Sequence, residues 1–211
     1  MKIALLGASG KTGRHFLEKA LAAGHEVQVL VRRPELFHYP SSPQLQVIPG
    51  DVLNQQDVNQ VVAGTSLVVS LFGHVKDSPA WLQTRGTEHL AHAMKQHGVE
   101  RIISLSGGGL PFPEKDQPGL PDHLIRWVMK TFFAKVLNDA IRHAEVLRQS
   151  ELQWVIVRGP RLTEGPEKGQ YRTGWVGVNA STQISRADLA HFLLRLVHDR
   201  QYDGTMPFVS Y

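Results

Sequence analysis

The sequence predicts an α/β fold: a Rossmann-like, doubly wound parallel sheet in three α/β/α layers, forming a single domain over residues 1 to 211. Three observations lead there. Apolar, β-branched runs alternate with helical patterns, the rhythm of a parallel sheet covered on both faces. A glycine-rich loop, GASGKTG, follows the first of these runs directly. The 211 residues, 42% hydrophobic, suffice for one complete core, and no Pro/Ser-rich or charge-rich stretch is long enough to be a linker.

The elements follow in chain order. KIALL (2 to 6) reads as the first strand. Phe16, Leu17, Ala20 and Leu21 then recur at helical spacing, and Gly24 stands where a helix end favours a left-handed residue. EVQVLVR (26 to 32) completes a βαβ unit, and LQVIP (45 to 49) adds a third strand. A helix at about 55 to 63 leads to SLVVSLF (66 to 72), and one at 80 to 97 leads to RIISLS (101 to 106). A helical stretch over 121 to 149, with room for a break, precedes WVIVR (154 to 158). The last helix, 186 to 198, is opened by Ser185 with Asp188 three residues on, a capping box. Internal repeats and low-complexity segments are absent.

Composition narrows the function classes. The formal charge is +4, but Lys and Arg are scattered, which favours an anionic small ligand at least as much as nucleic acid; nucleic acid is the minor option and is not the expected partner. Cysteine is absent, excluding a disulfide framework and thiol catalysis and fitting a reducing compartment. The apolar run in MKIALLGASG is too short for a signal core or a membrane span, so the expectation is a cytoplasmic protein without a membrane partner. Monomer and weak homodimer both remain open.

The glycine loop sets Gly7, Gly10 and Gly13 in the spacing GxxGxxG between a strand and a helix. Such a loop lets backbone approach a pyrophosphate, while the helix N-terminus supplies free N–H groups and partial positive charge. At the end of the second strand an NAD site usually carries Asp or Glu for the ribose hydroxyls; here VLVRRPE places Arg32 and Arg33. Two cations there suit a 2′-phosphate and favour NADP(H) over NAD(H), the alternative being two solvated strand-end arginines. Lys11 offers a further phosphate contact or is an exposed loop lysine.

Together GASGKTG, VLVRR, GDVLNQQDV, LFG, RQSELQWVIVRGPRLTEGPEKGQY, ISRADLAHFLLR and QYDGTMPFVSY span nearly the whole chain. In that order the sequence resembles the atypical short-chain dehydrogenase/reductase group that contains NADPH-dependent flavin reductase (biliverdin-IXβ reductase), with NmrA-like relatives. The resemblance implies NADP bound by the first glycine loop and an open site where a flat substrate stacks on the nicotinamide. Position by position, it implies phosphate contacts at Gly7, Ser9, Gly10, Lys11, Thr12 and Gly13, with the 2′-phosphate at Arg32 and Arg33. It implies Asp51 and Val52 near adenine, Gly73 and His74 in the loop after strand four, and Pro160, Arg161 and Leu162 beside the nicotinamide. Asp51 also reads as a turn or helix cap after Gly50.

Most members of the wider superfamily use a Tyr and a Lys four residues apart, the lysine lowering the tyrosine pKa. None of Tyr39, Tyr171, Tyr202 and Tyr211 has that partner, which disfavours chemistry needing a base at a hydroxyl. Hydride transfer to an electron-poor ring does not need it. In SLSGGGLPFPE the flavin reductases' serine position falls on Gly107, leaving Ser106 one residue before it as the candidate catalytic hydroxyl and cofactor contact, or as a strand-end hydrogen bond. Gly107 and Arg161 are expected in the substrate pocket with His143. Asp139 and His143, four apart on one helical face, read as a carboxylate-held proton donor or as a surface ion pair. His89 and His92 lack an evident third ligand, so no metal is expected.

A helical insertion at about 112 to 138 lies near the substrate side. Leu124, Val128, Phe132 and Val136 recur there at four-residue spacing, giving a broad apolar face with Arg126, Lys130 and Lys135 mainly off it. It reads as a helix packed on the domain, a lid over the pocket, or an interfacial or dimer-forming helix. The function expected is an NADPH-dependent reductase of a planar redox acceptor (flavin, quinone or biliverdin-like). An NADP(H)-sensing NmrA-like regulator is the alternative, and an epimerase or dehydratase the weaker one.

Overall fold

A computed structural model describes residues 1 to 39 and 42 to 211. The first half runs β1 (Lys2–Leu6), α1 (Lys11–Ala22), β2 (Glu26–Val31), β3 (Leu45–Pro49), α2 (Gln55–Val62), β4 (Leu67–Ser70) and α3 (Leu82–His97). The second runs β5 (Arg101–Gly107), α4 (Leu120–Phe132), α5 (Ala134–Gln149), β6 (Gln153–Gly159), β7 (Arg161–Thr163), β8 (Arg172–Gly174), β9 (Gln183–Ser185), α6 (Arg186–Arg195) and β10 (Phe208–Ser210).

The main sheet has the order β3-β2-β1-β4-β5-β6-β10-β8, parallel throughout except for β8 against β10. β7 and β9 pair separately. This is the Rossmann-like, doubly wound sheet that the sequence predicts. Chain direction across the sheet reverses between β1 and β4, and in such folds the crevice at the carboxyl ends of those strands takes the ligand.

The strands are buried on both faces because each side is covered by helices. Ala4, Leu6, Val68 and Ile102 pack with α2, α3 and α5, while Ile3, Leu5, Val69 and Ile103 pack with α1 and α6. From α1, Phe16 and Leu17 are completely buried, each worth about 1.5–3 kcal/mol of apolar transfer. α1 stops as its sequence predicts: Gly24 has φ +80°, its N–H donates to Leu21 O and that of His25 to Ala20 O. The helical stretch over 121 to 149 is indeed broken, at Phe133, whose φ of −127° is not helical.

Two local expectations need correction. Ser185 Oγ does accept from the Asp188 N–H at 3.0 Å, but the return bond of a capping box is missing. The Ser185 N–H donates instead to the Tyr211 hydroxyl, and the Asp188 carboxylate receives the Lys168 and Gly169 N–H groups and that same hydroxyl. Asp188 is completely buried, so it fastens the loop after β7 and the last residue rather than merely starting a helix. The second concerns one of the three readings of the insertion, a helix packed on the domain by its apolar face: α4 buries none of its described side chains and turns that stripe outward. Leu120 and Phe132 are 86% and 70% exposed, and Leu124, Ile125 and Trp127 are exposed beside them. What holds α4 is its other edge, through Arg126 on Asp116 and Met129 near Gly109.

Candidate functional site

The glycine loop closes on itself so tightly that only glycine fits. A Cβ on Gly13 would sit 2.1 Å from Gly7 O, and one on Gly7, where φ is +86°, would sit 2.6 Å from the Leu71 carbonyl carbon. The Gly10 N–H donates to Gly7 O, and Gly10 leads into α1 without a side-chain cap. The first turn of α1 contains no acidic residue, so its backbone N–H groups face the loop uncompensated, as a phosphate requires.

That loop forms one wall of a cleft of about 560 Å³ at the carboxyl ends of β1, β2, β4 and β5. Gly7, Ser9, Gly10, Lys11, Thr12 and Gly13 line it, with Arg32, Asp51, Val52, Gly73, His74 and Leu162. Twelve positions separated by up to 155 residues in sequence therefore meet on one surface. Asp51 also satisfies its other reading: its Oδ1 accepts from the Leu53 N–H at 2.9 Å in a turn, while Asn54 caps α2. Gly86, inside α3, belongs here too, because a Cβ would lie 2.6 Å from the Phe72 ring and 2.8 Å from Val52, both on the cleft wall.

Other expected site residues lie elsewhere. Arg33 is exposed at the turn after β2 and lines no part of the cleft, and Pro160 is half-buried outside it. Arg161 is exposed on β7, where its guanidinium donates to Gln183 Oε1 at 3.0 Å, away from the expected substrate pocket. Ser106 is buried on β5 opposite Arg158, and its Oγ has no hydrogen-bond partner among the described residues. Its neighbour Leu105, not Ser106, reaches the cleft. Alternation along the strand explains this: Ser106 shares the sheet face of Ser104, which bonds α5. Gly107 opens onto free space, whereas Gly108 is closed in by Gly159 and Phe208.

His143 is neither a pocket residue nor half of a surface ion pair. It is enclosed between Thr87 Oγ1, 2.7 Å from Nδ1, and Ser104 Oγ, 3.1 Å from Nε2. Burial pushes its imidazole down to about 4, the nearby Asp139 only partly opposing this, so it is neutral at ordinary pH. Asp139 pairs with a different histidine. Its Oδ2 stands 2.6 Å from His74 Nε2 and accepts the Gln83 N–H, while Oδ1 accepts the Thr84 N–H and hydroxyl. Burial alone would raise this carboxyl; the Thr84 hydroxyl, the two N–H groups and His74 together hold it below the usual range. It thereby caps α3 from another helix, which α3 needs because Trp81 enters it at φ +60° with no cap of its own.

Lys11 reaches across the cleft mouth to Glu164 at 2.8 Å, and Arg186, a cleft residue that the sequence pattern does not reveal, stands 3.6 Å from the same carboxylate. Two cations of the cleft lining thus share one carboxylate, Glu164, beside the glycine loop. His89 has a structural part, its Nδ1 bonding Val52 O at 2.9 Å, and the described residues contain no cluster of three metal-ligating side chains. Among the described residues no helix is long and apolar enough to cross a membrane.

The profile of a family described as NAD(P)H-binding matches residues 7–200. The chain belongs to the NAD(P)H-binding family. A short-chain dehydrogenase/reductase of Veillonella parvula, solved in complex with NADP, superposes with a TM-score of 0.83 at 20% identity, covering 100% of this chain and 94% of that one. An anaerobillin reductase of Escherichia coli O157:H7 gives 0.76 at 20% identity, covering 100% and 97%. Both establish the shared fold. A 3-beta-hydroxysteroid dehydrogenase of Mycolicibacterium neoaurum is 31% identical over 127 residues, 54% of this chain and 34% of that protein. The chain thus spans about a third of that relative's length. Membership in this family and the oxidoreductase-like fold agree with the glycine cradle, which fits a dinucleotide.

Proposed function

We propose that the protein is an NADPH-dependent reductase that delivers hydride to a planar acceptor such as a flavin, quinone or biliverdin-like ring. One observation carries this reading: the cleft lined by the glycine cradle and Arg32 is also walled by the apolar residues Leu71, Leu105 and Leu162. No carboxylate stands at residues 31 to 33, where an NAD site would place one for the ribose, and Arg32 supports a 2′-phosphate instead. The first-turn N–H groups of α1 would take the pyrophosphate, Asp51 and Val52 would flank the adenine end, and the apolar walls would hold a flat ring and exclude water.

When bound, the cofactor supplies a hydride. The protein's share is position: an apolar slot that orients a ring without a Tyr/Lys base. α5, which carries that pair in other superfamily members, has Asp139 and His143 as its buried polar residues, which argues against epimerase or dehydratase chemistry. The test is NADPH oxidation in the presence of FMN, a quinone, biliverdin or an anaerobillin. Turnover with at least one acceptor is expected. Tight NADP(H) binding with no turnover across the panel would overturn the reductase reading in favour of a dinucleotide sensor like the NmrA-type proteins.

A further inference from the structure

His74 lines the cleft and is the one imidazole that does so among the described residues. Its Nε2 is 2.6 Å from Asp139 Oδ2, whose side chain is only 1% exposed and whose other bonds all come from α3. With the carboxylate ionised, Nε2 must donate, which fixes the ring orientation and leaves Nδ1 as the nitrogen available to a ligand. Nδ1 has no hydrogen-bond partner among the described residues. The other charged cleft residues are otherwise disposed: Lys11 and Arg186 lie at Glu164, Asp51 is engaged in its turn, and Arg32 stands at the far end of β2. A cleft walled by Leu71, Leu105 and Leu162 thus carries, among its described lining residues, one imidazole, held by a buried carboxylate.

We propose that His74 is the proton donor of the reduction and that Asp139 is its positioning residue. This rests on the reductase reading above. In the balanced step the acceptor ring receives a hydride with both electrons from NADPH, and one of its conjugated oxygens or nitrogens becomes anionic. The Nδ1–H bond of the His74 imidazolium breaks, the proton bonds to that atom, and the bonding pair stays on the imidazole. Water at the cleft mouth then reprotonates the ring, while Asp139 stays ionised throughout. The acceptor class that needs this most is one whose reduced form is a basic enolate-like or pyrrole-like anion.

The test uses the whole chain and three readouts. His74→Ala should lower kcat about a hundredfold, the low end of general-acid contributions, and by more than any weakening of NADPH binding accounts for. Added imidazole should recover at least tenfold of the loss. Asp139→Asn should lower kcat in the wild-type background but add no further loss in the His74→Ala background, whereas a merely structural aspartate would lower kcat equally in both. His74→Asn serves as a second variant should the alanine fold poorly. Unchanged kcat in both variants, a fall in kcat explained by an equal weakening of NADPH binding, or failure of imidazole to restore turnover would overturn the proton donor while leaving the reductase reading intact. Absence of wild-type turnover with every acceptor would instead overturn that reading, and this inference with it.

Discussion

Two of the aspartates sealed in this fold, Asp116 and Asp139, share one device and are put to opposite ends. Asp116 receives both terminal nitrogens of Arg158 at 2.9 Å, Arg126 at 3.1 Å, and the Phe112 and Val176 N–H groups. Asp139 receives two N–H groups, a hydroxyl and His74. For each, burial would raise the carboxyl and the donors more than offset it, so both titrate below the usual range. Asp116 is closed on itself: Arg158 is completely buried between Phe112 and Phe208, and the ensemble locks the segment before α4 onto β6. Asp139 has one outlet, through His74 into the cleft. A buried charge alone therefore does not mark function here. What sets Asp139 apart is that its partner, His74, lines the cleft.

The largest effect should come from breaking the closed site. Arg158→Met strands the Asp116 charge and should cost about 3–5 kcal/mol in denaturant unfolding; a loss below about 1 kcal/mol would mean that Arg126 and the two N–H groups suffice. Next in size is the pH response of the neutral core next to Asp139. The folded His143 value of about 4, against 6.5 when free, makes the unfolded chain bind more protons between those values. Stability is thus full above 6.5 and falls by about 3 kcal/mol as pH drops toward 4. His25, also lowered by burial, acts in the same direction, so the check is the difference between wild type and His143→Gln, which should flatten the curve.

Asp139→Asn should be milder, about 1–2 kcal/mol, because the amide oxygen still accepts from α3. Unlike Arg158→Met, it should also disturb the cleft. Both aspartates have lowered folded values, so their contributions are complete above the ordinary carboxylate pKa of 3.8 and vanish only as pH falls below it. Urea midpoints that steepen below pH 4 in wild type, and less so in Asp139→Asn, would agree. The smallest effect belongs to Arg161→Ala: exposed and bound to Gln183, it should change stability by less than about 0.5 kcal/mol, with NADPH affinity unchanged within twofold in a fluorescence titration.

The sheet was legible because parallel strands buried on both faces are continuous apolar runs, and the glycine cradle because its three glycines are local in sequence. β7 to β10 were not, since three residues carry no periodicity. The pairing of His74 with Asp139 spans 65 residues and has no local trace, whereas Asp139 and His143, only four apart, suggest a pairing that the structure does not make. Helical spacing showed that α4 has an apolar stripe but not which way it faces. Arg126 decides that, by turning inward to Asp116, and the partner sits in another loop. Mid-helix Gly86 was the overlooked local signal, a position unfavourable for a helix unless something packs against it.

We propose that the cleft lined by Gly7 and Arg32 selects the phosphorylated dinucleotide. Dissociation constants for NADPH and NADH, measured by fluorescence on wild type and on Arg32→Ala, test it most directly. Charge-assisted bonds of roughly 1.5–3 kcal/mol predict a preference for NADPH of about ten- to hundredfold. That preference should disappear in Arg32→Ala while NADH affinity stays the same. Equal affinities in wild type, or equal losses for both cofactors in the variant, would contradict it.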